Sequence, residues 1–140
     1  DLIKVSLVQA KMAVFYDATS REPPTTRKQY IDCQYVDVRF SDTETALMAL
    51  PLLERSSLAA PTVTVPNFGS LAQMIAGTDR ITTQLDVMQH GLLNQLDCCP
   101  LPFETKPLHL FLIWHRREQD DPAHRWFRGR IIEAMKSIIG

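Results

Sequence analysis

The chain has 140 residues, of which 45% are hydrophobic and 22% charged, with a formal net charge of -1. This length suits one globular domain that buries roughly two-thirds of its unfolded surface. The near-neutral charge provides no long-range field to attract nucleic acid or an anionic membrane. No apolar run reaches the ~20 residues of a membrane-spanning helix, and no signal peptide opens the sequence. We therefore expect a cytoplasmic protein, and the start at Asp1 without an initiator Met suggests a piece of a longer one.

The first half of the sequence predicts strands and short helices in alternation. Extended structure is expected at 11–16, and Thr25 or Thr26 can cap a short helix that ends near Asp32. In residues 34–40, Val36, Val38 and Phe40 alternate with Tyr35, Asp37 and Arg39, which predicts a strand with one buried face formed by the first three. After a polar turn at 41–43, a helix is expected with Pro51 in its first turn and its end near residue 57.

The second half continues the alternation. A β-branched strand is expected at 62–65, then a corner at Pro66 that is the predicted crossover between two halves of the fold. A helix at 69–76 follows, with Leu71, Ala72 and Ile75 expected to face inward. A brief strand at 81–84 and a helix at 86–94 come next. Residues 96–106 are expected to be turns because their prolines bar long regular structure.

The last strand and helix carry strong local signals. Residues 108–115 are almost continuously apolar, which predicts a central strand covered on both faces. Asp121 is expected to cap a final helix with Pro122 at its first position. The predicted buried stripe of that helix is Phe127, Ile131, Ala134, Met135 and Ile138. Strands alternating with helices predict a mainly parallel sheet with helices on its faces.

The sequence contains no catalytic or metal-binding motif. Its glycines are scattered rather than grouped in a phosphate-binding loop. His109 and His115 would lie on one face of a strand about 20 Å apart, too far to share a metal ion. The arginines between 116 and 130 are interleaved with acidic residues, which favours a solvated helix face. We expect no enzyme activity, no cofactor and no metal.

Three cysteines make a poor disulfide framework. Cys98 and Cys99 are adjacent, and their spacing from Cys33 matches no zinc template. We expect reduced thiols packed as small hydrophobic side chains. A nucleophilic role of Cys33 or Cys99 would need a base that the sequence does not place.

Three predicted turns follow strands at positions where α/β sheets bind ligands, beyond strand carboxyl ends and at helix N-termini. These turns contain Phe15, Tyr16, Ser41, Thr43, Asn67, Phe68 and Gly69. The backbone N–H groups of residues 69 and 70, the Asn67 amide and the Ser41 or Thr43 hydroxyl could hold a carboxylate. The alternative is that all three are ordinary capped turns.

Two motifs near the end of the sequence are distinctive. Trp114-His115-Arg116-Arg117 is followed by Asp121-Pro122-Ala123-His124-Arg125-Trp126-Phe127-Arg128. This resembles the carboxyl end of LysR-type transcriptional regulators, where the nodulation-type branch reads W-H-x-R and then D-P-x-x-x-W-L-R. The segment 64–68 is similar to the family's V-P-x-F corner, and 75–83 to its l-x-x-T-D-L-I-A-T segment. The resemblance extends from about residue 11 to the end.

The resemblance implies an α/β effector-binding domain with three layers and a parallel or mixed sheet, like the type 2 periplasmic binding proteins. Residues 1–64 would be its distal subdomain, and 65–140 the returning half of the proximal subdomain with the C-terminal strand and helix. The winged helix-turn-helix domain and the first proximal half would be absent. Strand 110–114 would then lack neighbouring strands. The chain should therefore aggregate, pair with strands of a partner molecule, or be part of a protein with further residues.

The family's cleft positions fall on Phe15, Tyr16, Asn67, Phe68 and Ile113, all implied effector contacts. Function would be that of a sensor: a small effector, aromatic or carboxylic, binds between the subdomains and changes their closure. The resemblance implies a homodimer or tetramer that reaches DNA only through the absent domain and does not contact membranes. The alternative is a solute-binding protein of the same architecture that delivers its ligand to a transporter.

Overall fold

The computed structural model describes residues 1–41, 50 and 55–139. The chain divides into two compact units, one formed by Asp1–Ala10 with Pro107–Gly140 and the other by Lys11–Lys106. The predicted boundary between residues 64 and 65 falls within a strand of the larger unit, and the predicted crossover at Pro66 directly follows that strand in the same unit. Thr43 and the predicted helix start at Pro51 lie outside the described residues.

The elements of the larger unit follow the predicted order, with one strand that was missed. They are β2 (Met12–Tyr16), α1 (Arg27–Asp32), β3 (Val36–Val38), β4 (Val63–Val65), α2 (Leu71–Ile75), β5 (Thr82–Leu85) and β6 (Asp97–Pro100). Short 3-10 helices cover Phe68–Ser70 and Asp86–His90, the second where an α-helix was expected. The smaller unit contains β1 (Leu2–Ala10), β7 (Leu108–His115) and α3 (Pro122–Ile139). No helix in the described part of the chain is long and apolar enough to cross a membrane.

The sheets are mixed, so the α/β class is confirmed, but the prediction of a mainly parallel sheet is wrong. In the larger unit β2 lies between β5 and β6 and is antiparallel to both, whereas β3 and β4 are parallel. An isolated parallel bridge joins Tyr35 to Ile81. Helix and strand periods within one segment carry no information on strand direction, which depends on partners far along the chain.

The missed strand β6 lies at the edge of the β2 sheet. It pairs with β2 from Tyr16↔Asp97 to Ala13↔Pro100 and ends at its proline. A proline is compatible with an edge strand because the N–H that it lacks can be on the unpaired side. The turn-rich composition of 96–106 therefore marked the end of a strand as well as the loop after it.

The core of the larger unit is built from both of its sheets and α2. Phe15, Val36, Val38, Leu71 and Ile75 are at most 1% exposed and belong to one cluster. Leu71, Ala72 and Ile75 are the buried face of α2, as predicted. Strand β3 was predicted to bury one face, but Tyr35 to Val38 are all buried. The larger unit therefore covers β3 on both sides.

Helix α1 begins as the sequence predicts. Thr26 accepts a hydrogen bond from the backbone N–H of Gln29, and the Gln29 side chain accepts one from the backbone N–H of Thr26. This reciprocal pair satisfies two N–H groups that a helix start leaves free. The helix buries Tyr30, whose hydroxyl lies 2.6 Å from that of Thr83 on β5.

The smaller unit is a two-stranded antiparallel ribbon of β1 and β7, with α3 against β1. Strand β7 was predicted to be central and covered on both faces, which is wrong for the described residues. Its side chains alternate between half-buried and exposed, with Phe111 41% and Ile113 54% exposed. Within those residues, β7 pairs with β1 alone. Part of its apolar surface therefore stays exposed.

Helix α3 begins as expected, with Asp121 accepting a hydrogen bond from the backbone N–H of His124 at 2.7 Å. Its predicted buried stripe is only partly correct. Ile131 and Met135 are half-buried, whereas Phe127, Ala134 and Ile138 are exposed. The helix is longer than the narrow ribbon beside it can cover, so its apolar stripe remains partly open.

Candidate functional site

The carboxyl ends of β3 and β4 meet at one edge of their parallel pair. The register runs from Val36↔Val63 to Val38↔Val65, and the Arg39 N–H donates to the Val65 carbonyl at 3.0 Å. Two of the three predicted turns, at 41 and at 67–69, therefore follow paired strand ends. The rings of Phe40 and Phe68 are 5.4 Å apart, which joins the two turns.

Asn67 is the cap of the 3-10 helix that follows this corner. Its side-chain oxygen accepts hydrogen bonds from the backbone N–H and the hydroxyl of Ser70, both at 3.1 Å. The Ser70 N–H, expected to face a ligand, is therefore already engaged. The NH2 group of the same side chain donates to no described residue. Ser41, Asn67 and Gly69 are exposed, whereas Phe68 is half-buried.

The other predicted contacts of the larger unit lie at the end of β2. Phe15 is 0% exposed and belongs to the core, so its side chain presents no surface to a ligand in this conformation. Tyr16 is 8% exposed and pairs with Asp97 of β6. Burial, followed by the neighbouring Cys99 and Asp97, raises the pKa of the Tyr16 hydroxyl, which therefore stays protonated at neutral pH.

The last two predicted effector contacts are Ile113 and Thr43. Ile113 lies on β7 in the smaller unit, on its exposed face. Thr43 lies outside the described residues. The structure thus places Ser41, Asn67, Phe68 and Gly69 at one edge, and Phe15 and Tyr16 at the end of another strand.

The loop after β2 is fastened by Asp17. Its carboxylate accepts hydrogen bonds from the backbone N–H and hydroxyl of Thr19, and from the backbone N–H of Gly77 at 2.7 Å. These bonds, led by that of the Thr19 hydroxyl, hold the pKa of Asp17 below its usual range. Asp17 is therefore charged and structurally engaged at neutral pH.

The three cysteines are free and half-buried, as expected. Burial raises the pKa of each thiol, that of Cys98 to about 11. The Arg21 guanidinium donates to the Cys33 sulfur at 3.0 Å and opposes the rise there, without reversing it. Since the thiolate is the nucleophilic form, these thiols are poor nucleophiles at neutral pH. Among the described residues, no group of three acidic, cysteine or histidine side chains could hold a metal ion.

Two concave regions occur in the larger unit away from the predicted contacts. One has a volume of about 360 Å³ and is lined by residues that include Arg21, Gln29 and Cys33. The other has a volume of about 370 Å³ and lies beyond the paired ends of β2 and β6. None of the predicted effector contacts lines either of these two cavities.

Sequence comparison finds bacterial regulators. No protein-family model matches the chain. It is 39% identical over 73 residues to the HTH-type transcriptional regulator SyrM of Rhizobium meliloti (strain 1021), a match that covers 47% of this chain and 21% of SyrM. It is 29% identical over 119 residues to Nodulation protein D 2 of Rhizobium tropici, covering 83% of this chain and 38% of that protein. The chain spans well under half the length of these relatives.

Solved structures extend the likeness to nearly the whole chain. The regulatory domain of MexT, a transcriptional activator in Pseudomonas aeruginosa, matches 99% of this chain and 65% of its own, with a TM-score of 0.67 and 24% identity. The effector-binding domain of QuiR in complex with shikimate matches 98% of this chain and 66% of its own, with a TM-score of 0.65 and 12% identity. The chain is thus similar in sequence and fold to LysR-type regulators. Its fold is that of the LysR-type effector-binding domain, which resembles periplasmic binding proteins.

One residue beside the corner at 65–68 was missed by sequence reasoning. Phe40 was assigned to the buried face of β3, yet it is 54% exposed and contacts Phe68. It follows the last paired residue of β3 and directly precedes the polar turn, where the strand alternation ends. Its place directly before a polar turn was the signal in the sequence that Phe40 would lie outside the strand.

Proposed function

We propose that the chain is part of the effector-sensing domain of a DNA-binding transcriptional regulator. The observation that carries this proposal is the match of 98% of the chain to an effector-binding domain that holds shikimate. The sequence matches to SyrM and Nodulation protein D 2 support it independently. In this proposal the larger unit corresponds to the distal subdomain and the smaller unit to part of the proximal one, in place of the ranges expected from the sequence.

The proposed effector contacts are Tyr16, Ser41, Thr43, Asn67, Phe68, Gly69 and Ile113. Phe15 would act from the core by supporting Tyr16. The NH2 group of Asn67, which donates to no residue that the structure describes, is suited to a carboxylate. The half-buried Phe68 beside Phe40 offers ring surface to an aromatic or cyclic body. The proposed effector class is therefore a small aromatic or cyclic carboxylic acid.

Regulation follows from different affinities of the effector for two arrangements of the regulator. An effector shifts such an equilibrium only by its difference in binding free energy between the states. We propose that this shift acts on DNA-binding domains within a cytoplasmic homo-oligomer.

The test is isothermal titration of the chain with shikimate and with benzoate. We expect one of them to bind, and Asn67→Asp to weaken that binding by about tenfold or more, the loss of one charge-assisted hydrogen bond. Asn67→Asp retains the oxygen that caps Ser70 and removes the NH2 donor, so folding should be preserved. This can be checked by circular dichroism.

Asn94→Asp is the matched control, because Asn94 is an exposed asparagine elsewhere in the same unit. It adds the same charge and should leave affinity unchanged. Failure of both acids to bind would contradict the carboxylic effector class. Equal affinity of the protein and Asn67→Asp would remove Asn67 from the site.

A further inference from the structure

The cavity beyond the paired ends of β2 and β6 has an apolar floor. Met12 and Leu101 line it and are 5% and 9% exposed, and Phe103 forms part of its wall. Antiparallel pairing of Ala13 with Pro100 brings the start of β2 beside the loop that leaves β6. The floor is therefore assembled from residues almost ninety positions apart in the sequence.

The walls of this cavity are held in place by contacts outside it. The Phe103 ring packs edge-on against that of Tyr30, with centres 5.6 Å apart, and the Arg27 guanidinium lies 5.7 Å from its centre. At Lys11, which also lines the cavity, the backbone exchanges two hydrogen bonds with Asp86, of 2.8 Å and 3.2 Å. The cavity is thus preformed, which lowers the entropic cost of filling it.

Two charges of opposite sign line the same cavity. Lys11 and Glu104 are both exposed, and neither makes an ion pair within the part of the chain that the structure describes. The Thr105 hydroxyl adds a neutral donor and acceptor at the same wall. A ligand that satisfies both charges needs an anionic group and a cationic group beside an apolar body.

We propose that this cavity binds a small zwitterion, an α-amino acid with an apolar side chain. Its carboxylate would face the Lys11 ammonium, its ammonium the Glu104 carboxylate, and its side chain the floor of Met12 and Leu101. A volume of about 370 Å³ lies at the lower end of the range for small-molecule sites. The site shares no residue with the effector contacts proposed above, so it is a second, separate site of the larger unit.

The probe is L-leucine, titrated calorimetrically into the whole chain. Two analogues separate the contributions of its charges: 4-methylpentanoate lacks the ammonium, and 3-methylbutylamine lacks the carboxylate. L-leucine should bind, and each analogue should bind about tenfold or more weakly, because one charged partner in the cavity is left unmatched.

Variants locate the binding. Lys11→Met and Glu104→Gln keep the length of each side chain and remove its charge, and each should weaken L-leucine binding about tenfold. Lys106→Met, at an exposed lysine that does not line the cavity, is the control and should change nothing. Asn67→Asp should also leave L-leucine binding unchanged, which separates this site from the proposed effector site.

The proposal is overturned by either of two results. One is no detectable heat with L-leucine up to about 10 mM, a concentration that detects even weak small-molecule binding. The other is binding that resists both Lys11→Met and Glu104→Gln or that is lost in Asn67→Asp. Neither result bears on the binding of shikimate or benzoate, so the two proposals fail independently.

Discussion

Arg128 on α3 is a buried cation held by neutral groups. Only 8% of it is exposed, and it donates to the backbone carbonyls of Glu118 and Gln119 at 3.1 Å and 2.8 Å. Its guanidinium also lies 4.5 Å from the centre of the Trp114 ring and 2.5 Å from the His124 ring nitrogen. The sequence placed the arginines of this helix on a solvated face, which is wrong for Arg128. Trp114 and Arg128, which both belong to the motifs that resemble the LysR-type family, therefore contact each other.

Arg128→Met should lower the free energy of unfolding by about 2–4 kcal/mol, because it leaves backbone carbonyls without their donor and removes the contact with the indole ring. Arg130→Met is the matched control. Arg130 pairs with Glu133 at 3.2 Å in an exposed position, so its loss should cost less than about 1 kcal/mol. Urea unfolding monitored by tryptophan fluorescence measures both. Similar losses for the two variants would contradict the role given to Arg128.

At the scale of elements, Gly77 lies two residues after the end of α2 and also holds the loop after β2. Gly77 has a φ of 73°, in the left-handed region that side chains with a Cβ disfavour. Its N–H donates to Asp17. The backbone conformation at the end of this short helix and the attachment of a distant loop thus depend on one residue.

Gly77→Ala should destabilise the chain by about 1–2 kcal/mol, the cost of a left-handed conformation for a residue with a Cβ, although nothing lies within 4 Å of the added atom. Gly129→Ala is the control, for which we expect the opposite sign of the change in stability. Gly129 lies inside α3 with open space around it, so alanine should stabilise by roughly 0.5–1 kcal/mol through helix propensity. Thermal or urea unfolding would distinguish the signs. A neutral Gly77→Ala would show that the turn adjusts freely.

At the scale of the molecule, the exposed apolar side chains of the described residues are concentrated in the smaller unit. Trp126 and Leu2 are 68% and 69% exposed, and Phe111 and Ile113 of β7 are open as well. A two-stranded ribbon has little stability of its own and gains from cover on its faces. Large exposed apolar patches promote association between protein molecules.

We therefore expect the chain to self-associate as its concentration rises. The double substitution Phe111→Thr and Ile113→Thr should reduce this association while retaining residues that favour strands. Leu92→Thr, at a leucine 58% exposed in the larger unit, is the control and should have little effect. Sedimentation velocity over a range of concentrations measures the outcome. A single monomeric species at every concentration would contradict the expectation.

Most predicted elements could be read from the sequence because their signals are local. The caps of α1 and α3 depend on side chains within three residues of each helix start. The β-branched run at β4 and the glycine after α2 are equally local. The strand ends of β3 and β4 also follow from local signals, and these strands pair in parallel so that the turns after them leave the same edge. The effector-binding role of Ser41 and Asn67 stays a prediction.

The sequence by itself determined the order of the elements, the helix caps and the motifs that resemble LysR-type regulators, since each depends on neighbours along the chain. The tertiary structure decided that β2 is antiparallel to both its partners, that β6 is a strand and that Phe15 belongs to the core. It also decided that Arg128 is buried and that Lys11 and Glu104 share a cavity. These features depend on contacts that no short segment contains, because strand pairing and burial bring together residues far apart in the sequence.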